Sequence, residues 1–151
     1  MFIIAFVIGL VMWFVFNYTR HGKYMYAIGG NEAAAEVSGV NVKKTKIIIY
    51  VTAAALYAIA GFLLGAKAGG ASVNMGQGYE LEAIAACPIG GVSVNGGIGR
   101  ISGVVIGVLV FELLKSSMQF LGIQTNYQYI VQGIVIIVAI ALDIRKYIAK
   151  K

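Results

Sequence analysis

An all-α, polytopic transmembrane bundle of about five spans, one of them broken and glycine-rich, is the fold that the sequence predicts. Three observations carry it. Apolar runs close to membrane length recur at 2–18, 47–66 and 127–142. Only 12% of the 151 residues are charged and 60% are hydrophobic, with a mean hydropathy of +0.85; a soluble domain carries about twice that charged fraction. Glycines and the single proline crowd the stretch from 69 to 103, where they interrupt apolar sequence instead of ending it.

The first span is Phe2–Tyr18, with Trp13, Phe14, Phe16 and Tyr18 toward one end. It has no basic leader and no small-residue cleavage site, so it does not read as a signal peptide. Met1–Tyr18 at ~1.5 Å per residue gives roughly 27 Å, barely a crossing, so the chain is expected to be a carboxy-terminal piece of a longer parent.

Residues 19–46 form the loop that organises the rest. Asn31 can cap a short helix by accepting an otherwise unpaired backbone N–H. Glu32 suits the positive end of that helix, and Ala33 and Ala34 are strong helix formers. After Ser38, Gly39 can stop the helix in a left-handed turn. Arg20, Lys23, Lys43, Lys44 and Lys46 outweigh Glu32 and Glu36, which places the loop in the cytoplasm.

The second span is 47–66. KAGGASVNMGQGYELE then reads as loop or unwound chain, and AIAACPIGGVSVNGGIG as an apolar segment broken by Pro88. A helix over 101–114 and a last span over 127–142 follow. The tail, 143–151, carries Arg145, Lys146, Lys150 and Lys151 and is cytoplasmic by the same rule. Loop and tail on one side require an even number of crossings between them. Residues 83–121 therefore hold either two crossings or a re-entrant pair, and two crossings fit the length better. A broken helix survives in a membrane only where protein or water covers its freed backbone groups.

Gly61, Gly65 and Gly69, and again Gly99, Gly103 and Gly107, recur every fourth residue, a pattern that lets helices approach closely. Polar residues within apolar sequence mark a possible solute path, because burying them in lipid is costly. The candidates are Asn74, Gln77, Tyr79, Glu80, Asn95, Gln128 and Gln132, the two last sharing a helix face. Glu82 and Glu112 belong to the same set. Alternatively, Glu80 and Glu82 are interfacial and Glu112 pairs locally with Lys115. No catalytic residue emerges: Cys87 stands in apolar sequence with no histidine nearby and reads as a packing thiol. One cysteine and one histidine, His21, support no metal site. GGIGRISG has no soluble βαβ unit around it, and no phosphate-binding GxxxxGK[ST] occurs. The net charge of +6 is confined to loop and tail, which argues against nucleic acid. The loop helix has an apolar face too small to insert deeply into lipid, and suits docking in a protein groove.

YAIGGNEAAAEVSGVNV resembles the cytoplasmic coupling loop of the ribose/galactose permease family, monosaccharide importers of the ATP-binding-cassette class. YELEAIAACPIGGVSVNGGIGRISGVVIGV and YQYIVQGIVIIVAIALDIRKYIAKK resemble that family's glycine-rich segment, final span and tail. IAAC followed by GGVS leans toward its galactose/methyl-galactoside branch, while Pro88 stands where the family usually has an aliphatic residue. The resemblance implies one transmembrane permease domain fragment over 1–151, multi-pass in a bacterial cytoplasmic (inner) membrane. It further implies a docking surface at Gly29, Gly30, Asn31, Glu32, Ala33, Ala34, Ser38 and Gly39 for a cytoplasmic ATPase. A second permease subunit, forming a homodimer, and an extracytoplasmic sugar-binding protein would complete the system, with lipid around the chain. ATP would sit on the partner, and this chain would bind no cofactor. Ribose or another monosaccharide, or a secondary carrier or channel without an ATPase, stay open as alternatives.

Overall fold

The computed structural model describes residues 1–148, with side chains through Arg145. Lys150, Lys151 and the side chain of Lys146, part of the tail charge used for topology, lie outside the described residues. The chain forms two compact units, Met1–Gln77 and the remainder from Gly78.

In the first unit, α1 (Phe2–Tyr18) meets α2 (Arg20–Gly30) at a 73° bend. Thr19 makes the corner. Its backbone is extended, and its hydroxyl accepts from the Gly22 N–H at 3.2 Å while donating to the Val15 carbonyl at 2.6 Å. A Cβ at Gly22 would collide with the backbone carbonyls of Phe16 and Val15, so only glycine lets the two helices close this tightly. Phe16 and Tyr26 then pack edge to face at 5.8 Å. The expected loop is thus largely helical over 20–30. A threonine cap and a proline-free sequence suffice for a helix there, although the apolar periodicity that would announce one is weak.

The short α3 (Glu32–Val37) packs on α2 and on α4 (Val42–Ala68). Asn41 caps α4 by accepting from the Lys44 N–H at 2.9 Å, and Gly69, at φ 72°, ends it. At ~1.5 Å per residue its 27 residues reach roughly 40 Å, ample for a membrane. Tyr50 and Phe62 project outward from it, as a lipid-facing helix requires.

The second unit is a three-helix layer of α5 (Tyr79–Ile89), α6 (Ile101–Phe120) and α7 (Thr125–Ile148). Pro88 lacks the N–H for another helical bond, and α5 stops at Ile89; Gly91, at φ 78°, turns the chain into a loop running to Arg100. α5 runs antiparallel to α6: Glu82 meets Lys115, Ala86 meets Gly107, and Gly90 meets Gly103. It runs parallel to α7, with Gly78 beside Tyr129 and Ser93 beside Asp143. The core is Ala85, Ala86 and Phe111, flanked by Ile89, Val135 and Ile136.

Among the described residues, α4, α6 and α7 are long and apolar enough to cross, with the bent pair α1–α2 as a fourth candidate. That is fewer than the five spans expected, because the broken segment is not a full helix. α5 has 11 residues, roughly 16 Å. The segment nonetheless travels from one end of the unit to the other beside α7, between the levels of Tyr129 and Asp143, roughly 21 Å apart at ~1.5 Å per residue. α6 therefore starts at the end of the unit opposite Gly78.

Gly107→Leu places a side chain on the Ala86 carbonyl and the Gly90 N–H, and is expected to destabilise the second unit by about 1–3 kcal/mol. Gly61→Leu, where an added Cβ meets nothing within 4 Å, is expected to be near neutral. Unfolding midpoints in mixed detergent check the contrast.

Candidate functional site

The inter-helix loop is built by caps on both sides of α3. Asn31 is extended at φ −158°, ends α2 through its N–H to the Ala27 carbonyl, and starts α3 by accepting from the Ala34 N–H at 3.0 Å. Ser38 donates its hydroxyl to the Ala34 carbonyl at 2.7 Å, and Gly39, at φ 85°, closes the turn. Ala35 is buried as the foot of α3, whereas Ala33, Ala34, Ser38 and Gly39 are exposed. Gly29 and Gly30 are the last residues of α2. Lys46, one turn into α4, grips both oxygens of Glu32 at 2.7 Å, a contact between residues 14 apart that no local pattern announces. Both partners are about half exposed, so the pair steers α3 against α4 more than it stabilises it, contributing ~0–1 kcal/mol. The outcome is a small-residue knuckle, rigid at both ends and bare at its tip.

In the second unit the candidate path residues separate. The Glu80 carboxylate accepts from the Gly78 N–H at 3.1 Å and so helps cap α5. Gln128 is buried and donates to the Ile123 carbonyl at 2.8 Å, tying down the turn before α7; Gln132, one turn on, is 3% exposed. Tyr79 lies at this same end, its ring 5.2 Å below the Lys115 ammonium. Asn95 lies at the other end, its N–H on the Ser93 hydroxyl at 3.3 Å. Asn74 and Gln77 belong to the first unit, in an exposed turn after α4. Of the glycines, Gly103 and Gly107 sit at the α5–α6 contact, Gly99 precedes α6 against Val92, and Gly61 and Gly65 face open space.

Two polar contacts went unread in the sequence. Lys115 does not pair with Glu112 one turn away; it reaches across to Glu82 on α5, and the partners are only 22% and 13% exposed. The cross-helix partner wins because the antiparallel register sets Glu82 directly opposite. Asp143, read as the start of the tail, accepts from the Ser93 hydroxyl and from the Val94 N–H, each at 3.0 Å. It pins the glycine-rich loop to α7. A serine-containing, glycine-rich loop with unpaired N–H groups was the only available signal for such a partner.

The family described as "Branched-chain amino acid transport system / permease component" matches residues 1–140. The galactose/methyl galactoside import permease protein of Haemophilus influenzae is 45% identical over 149 residues, which cover 99% of this chain and 44% of that protein. The corresponding protein of Escherichia coli is 46% identical over 140 residues, 93% of this chain and 42% of its own length. The ribose import permease protein of Escherichia coli is 44% identical over 140 residues, covering 93% and 44%. The chain thus spans less than half the length of these curated relatives. No solved structure matches.

Lys115→Met is expected to destabilise the second unit by about 3–5 kcal/mol, because it strands the largely buried Glu82 carboxylate. The double variant Glu82→Gln/Lys115→Met is expected to recover most of that loss. A double-mutant cycle on detergent unfolding measures both.

Proposed function

This chain belongs to the permease family described as "Branched-chain amino acid transport system / permease component", and on that premise we propose that it is a membrane-spanning part of an ATP-driven monosaccharide importer. The observation that carries the proposal is the knuckle of α3, a doubly capped helix that offers Ala33, Ala34 and Ser38 to a partner while Ala35 seats it on its neighbours. Small exposed side chains admit a close-fitting groove, and the caps keep the helix formed when it is pushed.

In this scheme the chain is a transport subunit and not an enzyme. A separate cytoplasmic subunit binds and hydrolyses ATP, and its closure presses on α3. The force passes through Ala35 and the Glu32–Lys46 pair into α4. A second permease subunit, most simply another copy, faces the first, and an extracytoplasmic binding protein delivers the sugar. The α3 loop and the tail then lie in the cytoplasm, by the excess of lysine and arginine there, and the membrane is the bacterial cytoplasmic one. Glycines 103 and 107 hold α5 against α6, and Asp143 holds the loop after α5 on α7, so the three move together when access alternates.

The family description names amino acids, but relatives named for galactose and for ribose at 44–46% identity favour a sugar. Galactose or a methyl galactoside is the first choice because relatives named for it occur at 45% and 46% and the IAAC…GGVS run resembles that branch. Ribose is the second, carried by the relative at 44%.

Ala34→Arg, on the exposed tip of α3, is expected to abolish co-purification of the ATPase subunit and to lower uptake of labelled galactose more than tenfold. Helix content and membrane abundance should stay unchanged. Undiminished co-purification would remove α3 as the docking element.

A further inference from the structure

The α6 helix carries a polar strip that neither α5 nor α7 covers. Glu112 and Gln119 are exposed and Ser116 is half-buried between them in sequence. At spacings of four and three residues they share one face. Glu112 is eight residues, roughly 12 Å, from the Phe120 end of a 20-residue span, which puts its carboxylate close to the middle of a ~30 Å hydrocarbon layer. Lys115 is held by Glu82 and feels the Glu112 carboxylate only at longer range. A carboxylate at that depth against lipid is costly, and such groups face the bundle interior or a water-filled passage instead.

Four and seven residues back on the same face stand Val108 and Val105, both exposed. The strip is therefore polar from the Phe120 end to mid-helix and apolar beyond. On the adjoining face the exposed residues Ile106, Val110 and Leu113 are apolar, and the exposed Ser117 there returns its hydroxyl to the Leu113 carbonyl at 2.7 Å.

We propose that the α6 face bearing Glu112, Ser116 and Gln119 lines a water-filled vestibule that enters from the Phe120 end and closes at Val108 and Val105. With the tail in the cytoplasm, that end opens to the outside, where an importer must admit its solute. The vestibule rests on the permease reading only for what moves through it; water access at these residues is a separate property. It also shifts the polar lining of the path away from Gln128, whose amide is spent on the Ile123 carbonyl.

Single cysteines at Glu112, Ser116 and Gln119, made on a Cys87→Ala background in the full importer complex, test this with a membrane-impermeant maleimide added outside intact spheroplasts. Labelling at these positions is expected to be at least tenfold faster than at Leu113→Cys and Ile106→Cys. Uniformly slow labelling would overturn the vestibule, as would cysteines shielded from maleimide that instead cross-link to another protein segment. If Glu112→Cys fails to accumulate in the membrane, Ser116→Cys and Gln119→Cys decide. Galactose uptake by the unlabelled parent, measured alongside, reports on the sugar assignment independently of water access.

Discussion

The backbone contact between α5 and α6 is the constraint on which the second unit depends. A Cβ at Gly90, Gly103 or Gly107 would strike the backbone of the facing helix, so these positions admit only hydrogen. Without a hydrophobic driving force between helices in lipid, such close approach supplies dispersion contacts that larger side chains would prevent. It also fixes the antiparallel register. Once Ala86 lies on Gly107, Glu82 must stand opposite Lys115, and the chain must leave α5 at the end where Asp143 can receive Ser93 and Val94. The half-helix and its loop are thereby held at three levels along the unit.

The first unit uses a different device for a similar purpose. Thr19 and Gly22 fold α2 back from α1, and asparagines at 31 and 41 start α3 and α4 in turn. Each corner satisfies backbone groups with a side chain instead of with water, which lets short helices persist outside a core. Stiffness at α3 comes from these caps, and stiffness in the loop after α5 from its bonds to Asp143.

Much of this was legible in the residues. The Asn31 cap, the left-handed turn at Gly39 and the break after Pro88 follow from local chemistry that acts within four residues, and all appear in the structure. The helical course of 20–30 was not legible, because a threonine cap without strong apolar periodicity looks like a loop. Nor was the division among intramembrane polar residues. Gln128 and Glu112 are equally polar in a sequence, yet one is consumed by a carbonyl five residues away and the other is left exposed.

By itself the sequence determined the all-helical membrane class, the places where helices start and stop, and the family resemblance, since hydropathy and capping are properties of short stretches. Only the tertiary structure decided which glycines are contacts, that Lys115 belongs to Glu82 and not to Glu112, and that Asp143 anchors the loop after α5. The reason is geometric. These partners lie 33 and 50 residues apart, and nothing short of the packed register of α5 between α6 and α7 brings them within a hydrogen bond's reach.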